Sequence, residues 1–166
     1  AAGKYYLWTK VTDRAGNRAT SVKKSNQFTI GGWQQSGSYW YYYNPSTGGK
    51  LTGWQYVLPN PSTSTKFWYY LDPNNGGRML TGWQSIGGYW YYLIANPKPG
   101  ENQGAMVTGW YQLGNAWYYL KKEGDGIAWS GPTGSMLCCN KNQKYIEIWI
   151  VNKWYRFNSD GVCLNP

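Results

Sequence analysis

Tryptophan and tyrosine carry what chemistry this chain offers. Four Gly-Trp pairs stand at Gly32-Trp33, Gly53-Trp54, Gly82-Trp83 and Gly109-Trp110. Each is followed by an aromatic cluster: Trp40-Tyr41-Tyr42, Trp68-Tyr69-Tyr70, Trp90-Tyr91-Tyr92 and Trp117-Tyr118-Tyr119. An aromatic face attracts a cation through its quadrupole, by about 0.5–2 kcal/mol per contact, and needs no hydrogen bond from it. The same faces stack on the apolar side of a sugar ring. Either ligand would need several faces held at fixed spacing. Three of the pairs place their tryptophans seven residues apart, and Trp54 and Trp68 are fourteen apart. Burial alone would also use these rings, because a chain poor in Leu, Ile and Val must build its core from Trp and Tyr.

Hairpins are the elements that would position them. Trp83-Gln84-Ser85-Ile86 reads as a strand, Gly87-Gly88 as a tight turn and Tyr89-Trp90-Tyr91-Tyr92-Leu93 as the return strand. The surplus in the second unit lies in Leu58-Pro59-Asn60-Pro61-Ser62-Thr63-Ser64-Thr65, and another insertion in Asn96-Pro97-Lys98-Pro99-Gly100, so added length falls on loops. A lone hairpin cannot bury its faces. Successive hairpins stacked ring against ring can, which predicts an all-β solenoid of stacked β-hairpins. Residues 31–137 are read as four hairpin repeats. Residues 138–166 are read as an atypical capping repeat, with a hairpin from Ile146 to Phe157 tipped by Asn152-Lys153. Residues 1–30 differ: Lys4–Thr12 and Ser25–Ile30 read as strands around a turn at Asp13–Asn17, giving an N-terminal β-hairpin.

Composition removes several function classes. Histidine is absent, and the seven carboxylates are scattered. The one close acidic pair, Glu123 and Asp125, sits in a Gly-rich turn rather than in a general acid/base arrangement. No phosphate loop, nucleophile elbow or metal-ligand spacing is present, so neither an enzyme nor a metal or other cofactor is expected. Net charge is +9, with +5 of it in residues 1–30, a balance that suits polyanions including phosphate-rich wall polymers. Nucleic acid is not expected, since the aromatic repeats lack interleaved Arg and Lys. No apolar run is long enough for a transmembrane helix. The chain opens without an initiator Met or a signal peptide, as a mature product or a piece of a longer protein would. Cys138, Cys139 and Cys163 form an odd set near the end. A bridge from Cys138 or Cys139 to Cys163 would add about 3 kcal/mol; reduced structural thiols are the alternative.

The units from Thr81-Gly82-Trp83-Gln84 through Gly88-Tyr89-Trp90-Tyr91-Tyr92-Leu93 to Met106-Val107-Thr108-Gly109-Trp110 resemble the choline-binding, or cell-wall-binding, repeats of Gram-positive surface proteins and phage lysins. The resemblance runs from Gly31 to Pro166. Residues 1–30 resemble the end of a bacterial immunoglobulin-like module. The repeat resemblance implies choline held between consecutive hairpins by three aromatics and a Met. Carried over by position, the first site is Trp33, Trp40, Tyr69 and Met79. The second is Trp54, Trp68, Tyr91 and Met106, and the third is Trp83, Trp90, Tyr118 and Met136. A fourth uses Trp110, Trp117 and Tyr155, with no Met at the matching place. Lys50 stands where the pattern has Met, and Cys138-Cys139 replace the next Gly-Trp.

The resemblance implies an extracellular or cell-surface, non-catalytic module. Its partner would be choline or phosphocholine on teichoic or lipoteichoic acid, and it would anchor a larger protein. Two other readings stay open. One is a carbohydrate-binding repeat for a glucan or a glycan receptor. The other is a structural element of a surface adhesin, self-associating through its odd cysteine.

Overall fold

The computed structural model describes residues 3–5, 8–9, 15, 23–24 and 28–166. The protein is all-β and built of stacked antiparallel hairpins, as the repeat predicts. Among the described residues the one helical element is a single 3-10 turn, Pro73–Asn75. No helix there is long and apolar enough to cross a membrane. At the N-terminus β1 (Gly3–Tyr5) pairs with β4 (Phe28–Ile30), and β2 (Trp8–Thr9) with β3 (Lys23–Lys24), both antiparallel. Of the turn expected at 13–17, only Ala15 lies within the described residues, and it is in a turn.

Two compact units divide the chain: residues 1–66 with 71–79, and residues 67–70 with 80–166. In the first, β5 (Gly32–Ser36) and β6 (Tyr39–Tyr43) form a hairpin, and β7 spans Gly53–Val57. β6 pairs with β9 (Arg78–Met79) through Tyr41 and Arg78. β9 also pairs with the end of β8 (Phe67–Asp72), Leu71 opposite Met79. In the second unit three hairpins follow: β10 (Gly82–Ile86) with β11 (Tyr89–Leu93), β12 (Gly109–Leu113) with β13 (Ala116–Leu120), and β14 (Ile146–Ile150) with β15 (Lys153–Phe157).

The Gly of each Gly-Trp pair has a structural cause. Gly32, Gly53, Gly82 and Gly109 enter their strands at φ of 86°, 74°, 76° and 80°. A side chain there would meet the left-handed penalty of about 1–2 kcal/mol. After two of these entries, Gln55 and Gln84 donate from Nε2 back to the carbonyls of Thr52 and Thr81, both at 2.8 Å.

A second ladder locks each hairpin to the chain that follows it. Leu93 bridges to Met106, Leu120 to Met136, Phe157 to Cys163 and Tyr43 to Lys50. The next amide then donates back to the strand: Leu51 to Tyr42, Leu80 to Tyr70, Val107 to Tyr92, Leu137 to Tyr119 and Leu164 to Arg156. Leu71 in the first unit, and Leu93, Leu120, Leu137 and Phe157 in the second, are fully buried.

The last hairpin departs from the expectation in register. Its turn is Val151-Asn152, not Asn152-Lys153, with φ of 40° and 67°. Two consecutive left-handed residues make the tight turn whose twist matches antiparallel strands. Ile150 is thereby set opposite Lys153, and Trp149 opposite Trp154.

Candidate functional site

Strand alternation decides which rings can meet a ligand. In β10–β11 the cross-strand pairs Trp83–Tyr92 and Ser85–Trp90 share one face, while Gln84 and Tyr91 share the other. The face bearing Trp83 meets the next hairpin. The Trp83 and Tyr118 ring centroids are 5.0 Å apart at 60°, and those of Tyr92 and Tyr111 are 5.4 Å apart. The Met136 amide donates to the Trp90 carbonyl at 2.8 Å, which ties the third expected set together along the backbone. Trp90 keeps 46% of its surface exposed, whereas Met136 is buried. Gly161 packs against the Met136 thioether, and Gly134 against that of Met106. Tyr111 donates its hydroxyl to Glu101 at 3.3 Å, and Lys98 Nζ lies 5.3 Å from the Tyr111 ring centroid. Burial, with the charge of Glu101, pushes the Tyr111 phenol up to about 12.

The junction between β12–β13 and β14–β15 holds a cavity. It has a volume of about 480 Å³ and is lined by Trp110, Trp117, Tyr155 and Pro166. Trp110 stands edge-on to Trp117 at 6.3 Å and 79°, and to Tyr155 at 4.6 Å and 61°. Behind it lie Tyr119 at 5.2 Å and Phe157 at 6.0 Å. Non-parallel rings around one space suit a compact apolar cation better than a flat ring, because several faces converge on one volume. A core of Tyr119, Leu137, Ile148, Ile150, Phe157 and Cys163 supports the arrangement from beneath.

The fourth expected set thus comes together as a cavity, and two residues outside that set join the junction. Pro166 is one wall. Cys163 takes the place of the Met: it bridges to Phe157 as Met136 does to Leu120, and its amide donates to the Trp117 carbonyl at 2.8 Å. A signal for Cys163 exists in the sequence. Gly48, Gly77, Gly104, Gly134 and Gly161 all have φ between 73° and 84° and precede Lys50, Met79, Met106, Met136 and Cys163 by two residues.

The other expected residues divide between the units. Trp33, Trp40, Trp54 and Met79 lie in the first unit, and Tyr69, Trp68, Tyr91 and Met106 in the second. Trp33 packs edge-on to Tyr42 at 5.1 Å and donates from Nε1 to the Leu58 carbonyl at 2.9 Å. The Met106 amide donates to the Trp68 carbonyl at 2.8 Å. Tyr69 is 1% exposed, and burial pushes its phenol up to about 12. Lys50 occupies the Met place as the sequence indicates. Its ammonium lies 3.9 Å from the Tyr41 centroid, so this ring already carries a cation.

Cys138, Cys139 and Cys163 are free thiols, and the expected bridge is not formed. The sulfurs point to different partners: Cys139 Sγ donates to the Gln143 carbonyl at 3.2 Å, and Cys163 Sγ lies 4.0 Å from Asn165 Oδ1. Burial pushes the Cys138 and Cys163 thiols up. Asp125 acts as a turn residue, accepting from the Lys122 amide at 2.8 Å and from the Tyr119 hydroxyl at 3.2 Å. Among the described residues no group of three or more His, Cys, Asp or Glu side chains is placed to hold a metal. Trp129, which fits no repeat position, anchors the 121–135 segment. Its Nε1 donates to Ser135 Oγ at 2.9 Å, while Lys121 Nζ donates to the carbonyls of Trp129 and Gly131.

Known proteins share this repeat and this fold. Residues 31–46, 81–96, 108–125 and 148–163 match the cell wall binding repeat of the choline-binding type. The last match covers the turn and the second strand of the hairpin that departs in register. The chain is similar to the crystal structure of choline binding protein F from Streptococcus pneumoniae, at 33% identity over 94% of this chain and 41% of that one, with a TM-score of 0.58. It is also similar to the same protein solved in the presence of a peptidoglycan analogue, at 33% identity over 94% and 40% of the two chains, with a TM-score of 0.57. A third similar structure is the ipratropium complex of CbpF, at 31% identity over 98% and 43%, with a TM-score of 0.58. This chain spans about two fifths of the length of these relatives. No curated protein matches it.

Proposed function

From the premise that this chain carries cell-wall-binding repeats of the choline-binding family, we propose that it is a non-catalytic module that binds choline or phosphocholine on teichoic or lipoteichoic acid. It thereby anchors a larger surface or secreted protein to the wall. The observation that carries this reading is the cavity of Trp110, Trp117, Tyr155 and Pro166. Trimethylammonium is apolar at its surface and charged at its centre. It cannot donate a strong hydrogen bond, so aromatic faces are what can hold it, by about 0.5–2 kcal/mol each. The Trp83–Tyr118 junction, with Trp90 and Met136 tied to it, is a second candidate. The peptidoglycan analogue and ipratropium named with the similar structures support a wall ligand and an onium ligand respectively.

Binding to the native state must raise its melting temperature. The test is therefore a choline titration of the whole chain, followed by Trp fluorescence and thermal melting. A saturable fluorescence change with a rising melting temperature is expected. An unresponsive chain at high millimolar choline, alongside binding to a glucan, would overturn the proposal. That outcome is the carbohydrate reading, which one feature favours. Trp149 and Trp154 are 48% and 56% exposed, and Glu147 and Arg156 pair across the same hairpin at 2.9 Å, so an aromatic pair stands beside polar groups able to bond hydroxyls.

A further inference from the structure

The two aromatic junctions of the second unit differ in the charge they hold: Lys98 and Glu101 stand together beside Tyr111 at one, and Lys153 stands beside Tyr155 at the other. Lys153 opens β15 two residues before Tyr155, so both side chains leave the strand on the same face. Lys153 Nζ lies 4.9 Å from the Tyr155 ring centroid and donates to the Pro166 carbonyl oxygen at 3.3 Å. Tyr155 and Pro166 are two of the four walls of the cavity. An exposed ammonium therefore sits at its rim. Glu147, the carboxylate of this hairpin, is held by Arg156 at 2.9 Å on the alternate face and does not neutralise it. At the other junction the corresponding strand position is Ala116: Leu113 faces Ala116 as Ile150 faces Lys153.

The wall bearing Lys153 is also held in place. The Leu164 amide donates to the Arg156 carbonyl at 2.8 Å. The Arg156 amide donates to Asn165 Oδ1 at 2.7 Å, and Asn165 Nδ2 donates to the Trp154 carbonyl at 3.0 Å. These bonds run residues 164–166 along β15 and set Pro166 against the cavity.

We propose that the Trp110–Trp117–Tyr155–Pro166 cavity selects phosphocholine over free choline, and that Lys153 sets the selection. This rests on the reading of the cavity as a quaternary-ammonium site. A bare cation entering the cavity meets a like charge at the rim. Phosphocholine carries a phosphate on the two-carbon arm attached to its quaternary nitrogen. With the nitrogen among the rings, the phosphate reaches the rim and accepts a charge-assisted hydrogen bond from Lys153. The Trp83–Tyr118 junction has Ala116 at the equivalent position, and the Lys98 ammonium beside Tyr111 there is offset by Glu101, so it gives no such preference and is the internal control.

The test is a titration of the whole chain with choline and, separately, with phosphocholine, followed by the indole N–H resonances of Trp110, Trp117, Trp83 and Trp90. Wild type, K153Q and K153R are compared. The expected result is about five- to tenfold tighter binding of phosphocholine at Trp110 and Trp117, as an exposed ion pair plus relief of repulsion provides. The ratio should fall to near one in K153Q and return in K153R, with no change at Trp83 and Trp90. An unchanged ratio in K153Q overturns the inference. So do shifts confined to Trp83 and Trp90, which would leave the proposed function standing. If neither ligand moves any indole, the proposed function itself fails and this inference with it.

Discussion

Replacing Gly161 with Ala tests how the hairpins are coupled. Gly161 has φ of 76°, and a Cβ built on it overlaps Sδ and Cε of Met136 and comes within 2.7 Å of its Cγ. Two costs add. The left-handed backbone charges an Ala about 1–2 kcal/mol. Overpacking against a buried side chain adds about 1–3 kcal/mol. Met is adaptable, which favours the lower end, yet Met136 is only 6% exposed and pinned at its backbone to Leu120 and Trp90. The expected loss is about 2–4 kcal/mol, or about 4–16 °C in melting temperature for a chain of this size. A double-mutant cycle separates the two parts. Met136→Ala alone costs about 2–5 kcal/mol through its cavity, but in its background Gly161→Ala should cost only the backbone strain. The coupling would then be about 1–3 kcal/mol in urea denaturation. Gly161→Ala within about 0.5 kcal/mol of wild type, a value typical of an inconsequential surface change, or an additive double mutant, would refute the reasoning.

Four further outcomes follow from the same geometry. Trp110→Ala removes a ring that touches Trp117, Tyr119, Tyr155 and Phe157, and should cost about 3–5 kcal/mol in denaturant melts. Trp90→Ala, at a residue 46% exposed, should cost about 1–2 kcal/mol while abolishing the ligand response at the Trp83–Tyr118 junction. Tyr69, Tyr111 and Tyr119 are pushed up to about 12, so the unfolded chain ionises these phenols first, from about pH 10. Stability is full below that pH and falls as pH rises toward 12; absorbance at alkaline pH should show these phenols, and Tyr91, which burial also raises, titrating late, and simultaneous titration of all tyrosines near pH 10 would refute this. Lys121→Met removes the ammonium that holds the carbonyls of Trp129 and Gly131 at 2.8 and 2.9 Å, and should cost about 1–3 kcal/mol and open the 121–135 segment to limited proteolysis.

Much of the fold is legible because the repeat states it locally. Gly before Trp marks a left-handed entry, Gly87-Gly88 marks a tight turn, and the alternation after it sets the faces. Less legible was the last hairpin, where no Gly-Gly announces the turn and Val151-Asn152 takes the left-handed conformation instead. Vicinal cysteines beside a third suggest a bridge by spacing, but thiol direction depends on what each strand packs against, and here the sulfurs point to Gln143 and Asn165.

By itself the sequence determined the hairpin repeat, the ring pairs that recur in it and the all-β class, because all three depend on residue order over short range. Tertiary structure decided which rings converge. Trp110, Trp117, Tyr155 and Pro166 are separated by up to 56 positions along the chain, and only stacking of successive hairpins makes them walls of one cavity. It also decided that Cys163 stands where Met was sought and that Lys153 rests on Tyr155. The Val151-Asn152 turn fixes the register of the last hairpin, and so sets Lys153 opposite Ile150 and Trp154 opposite Trp149.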